Sequence, residues 1–283
     1  MDINALINKV KAQGQDQTVA QKGGGGYTPP AAGTTGARLV GYYEVGQHAG
    51  EWQGTPKVNN LVKLVFELIG SKHPVRETDG GEKIPTRMTV TYNLSMNTKS
   101  GYYKLFSRVR TEEKHMVELL GKAFLVNVVH VERGEGDNKR VYANIEKDSI
   151  RKPVIQQVDP ESGDISDQPF KVGPAVSDLK AFVWDFATPE MWDSIYIPGE
   201  WEERKDDSGK VVAPARSKNV LQEEIASALN FKGLPIYDYA AKKLTREDAE
   251  ALDAALGDVE NTDEPEPAAQ AEEQAADPLA GIE

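Results

Sequence analysis

Cysteine is absent from the 283 residues, which excludes disulfides and every zinc site built on thiolates. Histidine is scarce: His48, His73, His115 and His130 are scattered, with no close pair at ligand spacing. No apolar run approaches the ~20 residues that span a bilayer, so no membrane partner is expected. MDINALINKVKAQ at the N-terminus carries an acid at position 2 and has neither a long apolar block nor a cleavage site. It does not read as a secretory signal. The Gly23–Gly26 run is followed by no Gly-Lys-Ser/Thr, so it is a linker and not a phosphate loop. No His neighbours a Ser nucleophile in a known motif. These absences speak against an enzyme and imply no cofactor and no metal; a nuclease using scattered carboxylates is the enzyme reading that stays open.

What is present is charge, unevenly spread. The total of −12 divides into a net +1 for residues 1–35, +5 for 36–152, −9 for 153–257 and −9 for 258–283. One basic block therefore sits in an otherwise acidic chain, and such asymmetry says more about partners than the total does.

The basic block is also the β block. Val62, Leu64, Phe66 and Leu68 alternate with Lys63, Val65, Glu67 and Ile69, the period of two expected of a half-buried strand. Strands are predicted near 38–45, 58–69, 86–96, 123–131 and 139–146, with a short helix from Glu112 to Leu120 before the fourth. The loop ERGEGDNK has hairpin composition. Five strands and one helix suggest a mainly β fold with added helices, a five-stranded OB-type barrel; an SH3-like barrel or small sandwich fits the same pattern. Trp52, followed by Lys57, lies on the connection between the first two strands. It is either a base-stacking platform beside a phosphate-binding cation or a Trp folded back on its own hairpin.

Beyond Lys152-Pro153, VDPESGDISDQP reads as a solvated turn. The aromatics Phe182, Trp184, Phe186, Trp192, Tyr196 and Trp201 read as packing. Ser217 is placed to cap a helix with Leu221, Ile225, Ala228 and Leu229 on one face, and a second helix is predicted from Thr245 to Leu256. The expected organisation is a flexible arm and linker at 1–35, a core at 36–152, an acidic aromatic-rich extension packed on it at 153–243, a short helix at 244–257 and a disordered acidic tail at 258–283.

Within the β block, aromatic and basic residues interleave. Single-strand binders combine a cationic groove with aromatic platforms, and the candidates for contact are Trp52, Lys57, Lys63, Arg87, Tyr103, Lys104, Arg108 and Arg140. Tyr92 shares a face with Met88, Val90 and Leu94 and reads as core.

EVGQHAGEWQGTPKVNNLVKLVFEL, TYNLSMNTKSGYYKLF and LLGKAFLVNVVHVERGEGDNKRVYANI resemble the corresponding strands of bacteriophage single-stranded DNA-binding proteins with an OB fold, over roughly residues 36–152. FVWD and SKNVLQEEIASALNF echo them more weakly. The resemblance implies coating of single-stranded DNA without strong sequence preference in phage replication, recombination or repair, in the cytoplasm of an infected bacterium, with possible self-association on DNA. It also implies an acidic tail that competes for the cationic groove and recruits replication proteins, through Asp277, Leu279 and Ile282 at the tip. The tip ends in Glu283 where familiar examples end in an aromatic, and the zinc of some relatives has no ligands here. A virion structural or assembly protein using the same β block for protein contacts is the alternative.

Overall fold

The computed structural model describes residues 28–78, 80–134, 139–205 and 209–244. Most of the arm and linker expected at 1–35, the helix predicted from Thr245 to Leu256, and the tail with Asp277, Leu279 and Ile282 lie outside them.

The chain enters on a 20-residue strand, β1 (Gly33–Trp52), and returns on β2 (Thr55–Ile69). At ~3.3 Å per residue β1 would run about 66 Å if straight. Register shifts between Leu39 and Gly41 and between Glu44 and Gly46 bend it instead. The turn joining the two strands is Gln53-Gly54 with both φ positive, 50° and 77°, the handedness that matches strand twist in a two-residue hairpin.

A small ribbon, β3 (Arg76–Glu77) with β4 (Lys83–Ile84), precedes β5 (Arg87–Asn93). Helix α1 (Gly101–Val109) follows, its first turn capped by Ser100 Oγ accepting from the Tyr102 N–H. The hairpin of β6 (Ala123–Arg133) and β7 (Arg140–Ile145) completes the sheet path β5-β2-β1-β6-β7. The mainly β prediction thus holds, with four α-helices added among the described residues. Hydrogen-bonded pairing between the outer strands β5 and β7, which would close the sheet on itself, is absent among the described residues. The helix falls at 101–109 rather than 112–120, where only a 3-10 turn forms at Met116–Leu119. Tyr102, Leu105 and Val109 share one helical stripe, and that burial decides the matter.

The concave side holds the first core, including Leu39, Tyr42, Val62, Leu64, Phe66, Leu68 and Val126. The turn expected at VDPESGDISDQP is the tip of a solvent-exposed hairpin, β8 (Val154–Val158) with β9 (Ile165–Pro169). Next, β10 (Lys180–Phe182) pairs in parallel with Gly41–Tyr43 of β1. It takes the edge of β1 that β6, paired only as far as Arg38, leaves free.

Helix α2 (Pro189–Ile195), the ribbons β11 (Glu200–Trp201) with β14 (Arg216–Ser217) and β12 (Arg204–Lys205) with β13 (Val211–Ala213), α3 (Val220–Ala226) and α4 (Tyr237–Lys243) follow. The three helices, with β10 and the turn at Phe231, build a second core on the outer face of β1 and β2, where Trp192 lies between Phe182 and Phe231, at 6.0 and 6.4 Å between ring centroids. Packing was expected of all six aromatics of this region, yet Phe186 (74%), Tyr196 (53%) and Trp201 (42%) are exposed. Phe182 and Trp192 are buried in the second core, and Trp184 packs against it half-buried. Ser217 does not cap α3; Asn219 occupies the cap position, and Ser217 Oγ accepts from the Asn219 N–H. Leu229 follows the end of α3 and turns to solvent, away from Ile225 and Ala228.

Three charged side chains fasten the extension by its backbone. Glu67, 1% exposed, accepts from the N–H groups of Val176 (2.7 Å) and Ser177 (2.8 Å). Glu44 accepts from the Trp184 N–H at 2.8 Å. Arg38 donates to the Val172 carbonyl at 2.8 Å, to the Gly121 carbonyl at 2.6 Å and to the Gly173 carbonyl. Charge-assisted bonds of this kind offset the desolvation that burying the charges costs. Gly46 is the point of closest approach: a Cβ there would stand 2.5 Å from Trp184 and 2.7 Å from Ala228.

Candidate nucleic-acid interface

The extension covers the outer faces of β1 and β2 and stops short of β5. Along β5 the outward residues Arg87, Thr89, Thr91 and Asn93 alternate with the inward Met88, Val90 and Tyr92. This polar strip runs about 20 Å, and its far end is tied to β2 by the Asn93 amide donating to Asn59.

At its near end is a cleft with a cavity volume of about 250 Å³, lined on one side by Tyr43, Lys83 and Arg87 and on the other by Ser177, Asp178 and Lys180. The Tyr43 ring lies across Gly41, where a Cβ would sit 2.7 Å from it, so glycine is required for that pose. Burial pushes the Tyr43 phenol above its ordinary range, and the Arg87 guanidinium pulls it the other way. Lys180 is committed to the Ser194 carbonyl at 2.6 Å. Among the described residues no hydrogen bond or ion pair engages the side chains of Arg87 or Lys83.

Two hairpins extend the strip. The distal half of β1–β2 projects as an arm carrying exposed Lys57, opposite Gly50. Trp52 stands by its backbone at the tip, opposite Thr55; its side chain lies outside the described part. On the β6–β7 hairpin Arg133 and Arg140 are direct cross-strand partners, and Arg133 also lies over the Tyr142 ring at 5.8 Å. Like charges directly opposite one another destabilise a ladder, an arrangement that an anion would relieve.

Other sequence candidates fall elsewhere. Lys63 is spent on Glu224 at 2.7 Å, an acid of the extension, so it is no free phosphate ligand. Arg108, expected at the surface for contact, donates to the Ile150 carbonyl at 2.8 Å and the Lys147 carbonyl at 3.3 Å. It fastens α1 to the turn after β7, because the helix stripe that buries Leu105 brings position 108 onto that turn. Lys104 is exposed one helical turn before it. Tyr103 is half-buried on the opposite flank of α1, towards Phe106, so Tyr103 and Lys104 do not form one platform.

No family model, curated protein or solved structure matches this chain.

A compact cluster of titratable groups in the first core reads as structural. Tyr42 donates to Glu44 at 2.7 Å and lies 3.4 Å from the Tyr102 hydroxyl, with the edge of His115 against its ring. Burial drives the Tyr42 phenol far up and Tyr102 up to about 12. Glu44 is simultaneously bound to the extension. Among the described residues no group of three or more His, Asp or Glu side chains is placed to hold a metal ion, and no helix is long and apolar enough to cross a membrane.

Sequence reasoning missed Lys83 and Ser177 of the cleft and Arg38 of the clasp. The β-strand period gave no sign of Ser177, since its role depends on a loop that docks more than a hundred residues from the strand it meets.

Proposed function

We propose that this chain binds single-stranded nucleic acid, DNA by the resemblance of its β block, and works by coating without turnover. The observation that carries the reading is the uncovered outer face of β5, continuous with Arg87, whose side chain makes no hydrogen bond or ion pair among the described residues, and flanked by two projecting hairpins. The fold assignment proposed with it is an OB-type barrel, partly open between β5 and β7. Its support is the order β5-β2-β1-β6-β7 with a helix between β5 and β6: a first strand paired to both the second and the fourth. In that architecture the face of the second and third strands and the two hairpin loops take oligonucleotides, here the open β5 side of the β2–β5 pair, the β1–β2 arm and the Arg133–Arg140 tip.

The acidic tail, Asp258 to Asp277, is proposed to compete for this face by Coulomb attraction and to present Leu279 and Ile282 to replication proteins. A second reading, protein contacts in assembly, is favoured by the β8–β9 hairpin, whose Val158 (58%) and Ile165 (65%) are exposed cross-strand partners.

The test is fluorescence-anisotropy titration of labelled oligo-dT across several salt concentrations, with duplex competitor. Tight binding is expected, with log K falling by about 0.7 per phosphate neutralised for each decade of salt and little competition from duplex. Absence of binding by both the full chain and a chain ending at Gly257 rejects the proposal and moves the assembly reading to first place.

A further inference from the structure

We infer that the cleft between sheet and extension is a subsite for one phosphodiester of a bound strand, formed jointly by Arg87 and Lys83 from the sheet side and the Ser177 hydroxyl from the extension. The inference rests on the single-strand reading and deepens it, because it makes part of the acidic extension a DNA contact.

The hydroxyl is the first observation. Ser177 Oγ is buried and has no hydrogen-bond partner, although its own N–H is held by Glu67 at 2.8 Å. Buried polar groups are nearly always paired, and leaving one unpaired is unfavourable. Its residue lines a polar cleft of about 250 Å³, far more room than a single water takes up. A phosphate oxygen is an acceptor that would satisfy it.

The second observation is the pair of cations that line the same cleft and make no side-chain hydrogen bond or ion pair among the described residues. Arg87 offers a planar fork suited to two phosphate oxygens, and Lys83 a point charge. The lining carries Lys83, Arg87 and Lys180 against Glu82 and Asp178, with the buried Glu67 carboxylate behind it on the Ser177 N–H. That near-neutral balance tolerates the single negative charge of a diester better than the higher charge of a terminal phosphate. Tyr43 supplies the third element, an aromatic wall held against Gly41 and able to pack the adjoining nucleoside.

The experiment compares wild type, Arg87→Ala and Ser177→Ala in the full chain by oligo-dT anisotropy, with inorganic phosphate and dTMP as competitors. Amide resonances of residues 176–178 are followed alongside. Arg87→Ala is expected to weaken binding about tenfold and to lower the salt slope by about 0.7. Ser177→Ala is expected to weaken it several-fold with a melting temperature equal to or above wild type, since it deletes an unpaired buried hydroxyl. Oligo-dT should shift the 176–178 amides, whereas millimolar inorganic phosphate or dTMP should displace it little. If both variants bind oligo-dT with wild-type affinity and slope, the subsite is overturned and the single-strand reading stands. If wild type ignores oligo-dT while dTMP or phosphate shifts the 176–178 amides, a free-phosphate site replaces the diester subsite and the single-strand reading is overturned. Silence towards all three overturns both.

Discussion

The two faces of the β1–β2 ladder make opposite use of the same strands. On the concave side Leu39, Leu64, Phe66 and Leu68 belong to a core whose buried residues come from the sheet, α1 and the turns between them, all within the first 150 residues. On the convex side Val45 and Leu61 meet Phe182, Trp192, Ile225 and Phe231, from a segment that follows β7 and adds β10 as the sheet's sixth strand. The inner face is apolar apart from the hydrogen-bonded Tyr42–Glu44–Tyr102 cluster. The outer face mixes apolar residues with Glu67, Lys63 and Tyr43, and each polar group finds a partner in the extension or borders the cleft. A sheet whose outer face alternates polar and apolar residues looks solvated by pattern; here it is an interface inside one chain.

Substitutions can separate the two faces. Trp192→Ala should have the largest effect, about 3–5 kcal/mol, and should abolish hydrogen-exchange protection in residues 180–244 while the inner ladder keeps its own. Uniform loss across both would show that the cores form a single cooperative unit. Gly46→Ala is expected to cost about 2 kcal/mol, by overpacking against Trp184 and by strain at φ 90°, again felt first in the extension; unchanged urea midpoints would remove that close approach from the account. Glu67→Gln should cost about 1.5 kcal/mol, because one of two charge-assisted backbone bonds is lost and the other becomes neutral. The comparison sharpens if amides 172–178 exchange faster in that variant and those of β6 do not.

Smaller effects probe the ladder itself. Gln53→Gly should stabilise the arm by about 0.5–1 kcal/mol, since a left-handed φ of 50° disfavours a side chain; no change in melting temperature would contradict this. The turn closing β2 gives a pH handle. His73 is buried, and burial first and Lys72 second lower its pKa below the ordinary 6.5. A depressed histidine leaves the unfolded chain binding the proton more readily. Stability should therefore be full above pH 6.5 and decline as pH falls through the folded-state value. His73→Leu should flatten that decline in urea titrations at a series of pH values.

The five main strands were legible because Val62 to Ile69 and Met88 to Ser95 alternate cleanly, and a period of two has one meaning when one face is buried. Tyr92 was likewise readable as core from its face mates, and it is 5% exposed. Helix α1 was not legible: GYYKLFSRV is rich in aromatic and apolar residues over nine positions, too short for period to outweigh strand propensity. Nor were the fates of Lys63 and Arg108. A basic residue reads the same whether it faces solvent, an acid 161 positions away such as Glu224, or two carbonyls at the end of a helix.

The amino-acid sequence by itself determined where the strands run, that charge is segregated along the chain and that thiolate chemistry is absent, because each of these is local or compositional. Tertiary structure alone decided that the acidic segment lies on the outer face of β1 and β2, that β5 is left open, and that Arg87, Lys83 and Ser177 share a cleft. Those outcomes depend on contacts between residues some ninety or more positions apart, where a carboxylate such as Glu67 selects a backbone N–H that carries no side-chain signature at all.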